Sequence, residues 1–89
     1  MNTETLIKSC IEHDLTDLYD TIGHDSGATR VFLVAAIRKL KTRMEAGESY
    51  IAAQYKAKKT TEKAYQRYET LLALYTLACT RMQTGMYTE

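Results

Sequence analysis

Hydrophobic residues recur along this chain at intervals of three and four, and a few glycines interrupt the recurrence. In the first stretch Ile7, Ile11, Leu15, Leu18 and Ile22 step by four, four, three and four, with Leu6 and Cys10 alongside. Residues so spaced share one face of an α-helix, whereas a half-buried strand would alternate every second position. The pattern predicts a first helix over residues 3–22, with Thr3 as N-cap and Glu4 in the positive first turn. Glu12, His13, Asp17 and Asp20 occupy its polar face.

In the second stretch Leu33, Ile37, Leu40 and Met44 continue the same rhythm. Val31 to Val34 alone would suit a strand, but the Ala35-Ala36 pair and the sustained spacing decide for a helix over residues 28–46, opened by Asp25 or Ser26. Glycine commonly follows a helix C-terminus because it enters the left-handed region without steric cost. Gly23, Gly27, Gly47 and Gly85 therefore divide the chain into three helical pieces.

The third piece has a polar middle, Lys56 to Lys63, that suggests a break at Thr60-Thr61. At 100° per residue, however, Tyr50, Gln54, Ala57, Thr61, Ala64, Tyr68, Leu72, Tyr75, Cys79 and Met82 fall on one continuous face, opposite Lys56, Lys59, Lys63 and Arg67. That continuity predicts one helix over residues 49–84, about 35 residues and roughly 50 Å long, with a kink near Thr60 as the alternative. The expected fold is all-α: a single three-helix domain over residues 1–89, with helices 2 and 3 forming an antiparallel hairpin that turns at residues 46–49. Ala57, Thr61 and Ala64 would let the paired backbones approach closely.

One segment exceeds what this scheme can bury. Leu72, Tyr75, Cys79 and Met82 take the expected core face, yet Leu74 and Leu77, flanked by Leu71 and Ala78, project from the other side. A helix apolar all round is buried all round. Leu71, Leu74, Leu77 and Ala78 are therefore the expected protein interface, with a homo-oligomer or a protein partner covering them. The competing reading is that helix 1 wraps far enough to bury them within the chain.

Length and composition change the picture little. Eighty-nine residues, 45% hydrophobic and without proline, suit one small domain and argue against disorder. No apolar run approaches the roughly 18 residues of a membrane span, and no signal-peptide pattern follows Lys8, so a cytoplasmic protein is expected. Cys10 and Cys79 lie on apolar stripes and are expected as free thiols. Thirteen threonines are many for a helical chain, so packing must supply much of the stability.

Charge changes it more. The formal net charge is +1, but residues 1–29 carry a balance of −5, residues 30–67 of +7, and residues 68–89 of −1. Lys56, Lys59, Lys63 and Arg67 form a basic ridge that suits backbone phosphates or an acidic protein, and Tyr50, Tyr55 and Tyr65 lie on the same segment. Asp14, Asp17, Asp20 and Asp25 form an acidic surface.

Candidate chemistry is sparse. Cys10, His13, Asp14 and Asp17, with His24, contain metal-ligand types, but the cysteine and histidine take different faces of the helix. His24-Asp25-Ser26 has the residue types of a triad without its convergent geometry. No catalytic residue, cofactor, metal or small-molecule substrate is inferred. The expected function is a non-catalytic α-helical interaction module, self-associating or docking on a larger protein assembly as adaptor, chaperone or inhibitor. The alternatives are a nucleic-acid-binding helical protein using the basic ridge, and an acidic nucleic-acid mimic that inhibits a nucleic-acid-binding protein.

Overall fold

The computed structural model describes residues 2–23 and 30–85. Among them the chain is all-helical: α1 Thr3–Glu12, α2 Thr16–Gly23, α3 Arg30–Lys56 and α4 Glu62–Thr84. The expected first helix is thus two, and the boundary between the second and third moves from Gly47 to residues 57–61. The N-cap of α1 is Asn2 rather than Thr3, its side-chain oxygen accepting from the Thr5 amide at 2.8 Å.

The second break falls where a kink near Thr60 stood as the alternative, and both breaks use the same local device. At the end of α1, Asp14 takes φ 57° and the Leu15 amide donates to the Cys10 carbonyl at 2.8 Å. At the end of α3, Lys58 takes φ 58°, its amide donates to the Tyr55 carbonyl at 3.1 Å, and the Lys59 amide donates to the Gln54 carbonyl at 3.0 Å. An amide reaching back five residues past a left-handed residue is the Schellman closure, usually made with glycine. Here aspartate and lysine fill the left-handed position. Gly47 instead lies inside α3, where an added Cβ would stand 3.5 Å from the Tyr68 ring. Gly85 does behave as expected: at φ 70° it caps α4, its amide donating to the Arg81 carbonyl.

Each break resets the rotational phase of the residues beyond it. In α1 the buried residues are Leu6 and Cys10, while Ile7 and Ile11 are exposed; after the break Leu15, Leu18 and Ile22 are buried. In α4 the inward stripe is Thr70, Leu71, Leu74, Ala78 and Arg81, while Leu72 is exposed. The face expected from Tyr50 to Met82 does not exist as one face, because the helix that would carry it is interrupted. Leu33 and Leu40 are buried as expected in α3, with Ile37 and Met44 partly so.

Helices α3 and α4 pair antiparallel. Glu48 faces Tyr68, whose hydroxyl donates to Glu48 Oε1 at 2.6 Å, and Tyr55 shares a hollow with Tyr65. Helices α1 and α2 pack across the open end of this hairpin: the main core joins Leu33, Ala36 and Leu40 of α3 to Leu71, Leu74 and Ala78 of α4 beneath Cys10, Leu15, Leu18 and Ile22. The molecule measures 47 × 24 × 18 Å. Residues 46–69 lie outside this core, so the closed end of the hairpin projects beyond the part that α1 and α2 cover. No helix among the described residues is long and apolar enough to cross a membrane.

Candidate binding surface at the hairpin end

The projecting end is built by the Schellman closure of α3 and the start of α4. Lys56 is the last residue of α3, Lys58 and Lys59 lie in the connection, and Lys63 stands in the first turn of α4. All four are exposed, and none takes an ion-pair partner among the described residues. Lys56, Lys59, Lys63 and Arg67, expected as a ridge along one helix, are distributed over two helices and their connection. Arg67 is half-buried a turn further back. Lys58 joins the group through the break itself, which helical periodicity does not reveal. The Lys58-Lys59-Thr60-Thr61 run is the one sequence signal that points to it.

Two exposed tyrosines accompany the lysines. Tyr55 is 76% exposed and Tyr65 50%, and both line one hollow whose other walls are Glu48, Ile51, Ala52, Lys56 and Tyr68. Tyr50, also exposed, lines a second hollow with Arg43, Ala46, Gly47 and Arg67. Tyr68 separates the two. Its hydrogen bond to Glu48 raises the pKa of the phenol above the ordinary 10.0, with desolvation and the Glu48 charge acting in the same direction. Glu48, the acid nearest the hollow, is thereby engaged.

The other expected sites fare differently. Leu71, Leu74 and Ala78 are not an exposed patch: they are 1%, 0% and 0% exposed within the single chain, and Leu77 packs partly buried against the same core. With the break at Asp14, α1 and α2 both contact α4, and α2 contacts α3 as well. Asp14 and Asp17 are exposed around the α1–α2 turn, Asp20 follows on α2, and Asp25 lies outside the described residues together with His24 and Ser26.

Compared with known proteins, the chain matches no family model, no curated protein and no solved structure. Function must therefore be argued from the geometry.

That geometry places no group of three or more His, Cys, Asp or Glu able to hold a metal ion among the described residues. Cys10 is fully buried, and burial raises its thiol pKa, which disfavours the thiolate that nucleophilic or metal chemistry needs. Cys79 is partly buried, and both cysteines are free. What the hairpin end does present is exposed positive charge on Lys56, Lys58, Lys59 and Lys63.

Proposed function

We propose that this chain is a non-catalytic helical binding protein that holds a polyanionic partner on the lysine-rich end of its α3–α4 hairpin, as a docking element of a larger assembly. The observation that carries this reading is the cluster of Lys56, Lys58, Lys59 and Lys63, exposed and without ion pairs among the described residues on a projecting end. Like charges gathered on a tip repel one another, and an external anion relieves that repulsion while releasing its own counterions. Such binding rests on fixed charge and asks for no titrating catalytic group. Two free thiols suit a reducing compartment such as the cytoplasm.

The test is retention on immobilised heparin. Wild-type protein should bind at low salt, and the combined variant Lys56→Glu, Lys59→Glu, Lys63→Glu should pass through while keeping its helical circular dichroism, since all three side chains are exposed. Wild-type protein that flows through at low salt would overturn the reading.

A second reading draws on the opposite charge of the other half. Exposed Glu12, Asp14 and Asp17 around the α1–α2 turn could receive the lysine-rich end of a second copy, a head-to-tail contact that grows into chains unless it closes into a ring. Light scattering would then show a mass that falls towards the monomer as salt is raised.

A further inference from the structure

The hairpin end combines its lysines with two rings that have nothing to do inside the protein. Tyr55 and Tyr65 are largely exposed, line the same hollow, and make no side-chain hydrogen bond among the described residues. An exposed aromatic ring is a costly surface to leave in water, and a flat partner covers it best. Three kinds of polyanion could meet the lysines, and the rings discriminate among them. Lysine is depleted at protein interfaces, so an acidic protein is a poor match for a surface whose exposed positive charge is all lysine, and Glu48 and Glu62 beside those lysines count further against it. A duplex presents phosphates but keeps its base faces stacked inside, leaving the tyrosines uncovered. A single strand presents phosphates and free base faces together.

We infer that the hollow between Tyr55 and Tyr65 takes the bases of a single-stranded nucleic acid, while Lys56, Lys58, Lys59 and Lys63 hold its phosphates. This inference rests on the proposed polyanion-binding role and names its ligand. The Tyr68 hydroxyl donates to Glu48 Oε1 at 2.6 Å, so one oxygen of the carboxylate in the hollow's wall already has a partner within the hairpin. Recognition is by stacking and charge, so it is expected to tolerate sequence.

Fluorescence anisotropy with labelled oligonucleotides of about 12 residues tests the inference. The single strand should bind at least about tenfold more tightly than the duplex of the same sequence. Tyr55→Ala and Tyr65→Ala should each weaken single-strand binding about tenfold without changing its salt slope, and Tyr55→Phe and Tyr65→Phe should retain it, because stacking needs the ring and not the hydroxyl. Lys59→Gln should instead reduce the salt slope by about 0.7, the share of one phosphate contact. Equal or tighter duplex binding, unchanged affinity in both alanine variants, or preferential capture of a polyglutamate peptide would each overturn the assignment. If heparin retention persists alongside any of these, the polyanion role stands and only the single-strand ligand is lost. If heparin retention is itself absent, both fall.

Discussion

At the scale of single residues, this chain puts its unusual backbone where the side chains do not announce it. Asp14 and Lys58 stand in the left-handed region, where an L side chain costs about 1–2 kcal/mol, while Gly47 sits in ordinary helix. The Cβ of Gly47→Ala would meet the Tyr68 ring at 3.5 Å, an ordinary contact. The substitution should therefore stabilise the protein by about 0.5–1 kcal/mol, through helix propensity and a less flexible unfolded chain. Urea denaturation checks this, and a destabilised variant would mean that Tyr68 packs more tightly than the geometry allows. The threonines also find their use at this scale. Thr21, Thr42, Thr70, Thr76, Thr80 and Thr84 each return their hydroxyl to the carbonyl four residues back, and the last three do so turn after turn along α4. Back-bonding of this kind lets threonine sit in a helix, even with Thr70 only 1% exposed, without an orphaned hydroxyl.

At the scale of elements, the question is which stripe of α4 faces inward. Two stripes compete in the sequence, one through Tyr68, Leu72, Tyr75 and Cys79, the other through Leu71, Leu74 and Ala78. Periodicity alone rates them alike. The first wins only if α3 and α4 are a single helix in one phase; the second wins once residues 57–61 break it. Leu74→Ala should cost about 3–5 kcal/mol, because it empties a site with 0% exposure, whereas Leu72→Ala, at 43% exposure, should cost under about 1 kcal/mol. Equal costs, or the reverse order, would restore the uninterrupted helix. The same logic governs α1, where Leu6 and Cys10 displace Ile7 and Ile11 from the core. Helical class and the inward Leu33 and Leu40 of α3 were legible in the sequence, since no competing stripe or hidden break disturbed them.

At the scale of the whole molecule, the fold divides into a covered half and a bare one. Helices α1 and α2 lie over the open end of the hairpin, and none of residues 46–69 belongs to the main core. Hydrogen exchange should report this division: amides of 50–55 and 63–68 should exchange faster than those of 36–40 and 71–78, whose opening requires loss of the main core. Uniform protection along α3 would contradict it. Faster exchange there would mark the end that carries the lysines as the one best able to adjust to a ligand.

By itself the sequence determined that the chain is helical, that its charge is segregated, and that Tyr50, Tyr55 and Tyr65 fall in the basic part, because periodicity and composition are properties of the residues alone. Only the tertiary structure decided where two helices stop and which leucines turn inward. A helix end at Asp14 or Lys58 costs backbone energy locally, and that cost is offset by burying Leu15, Leu71 and Leu74 among helices distant in sequence. No local pattern records such a balance, so the leucines expected to meet a partner meet their own chain, and the lysines expected along a ridge meet one another at a tip.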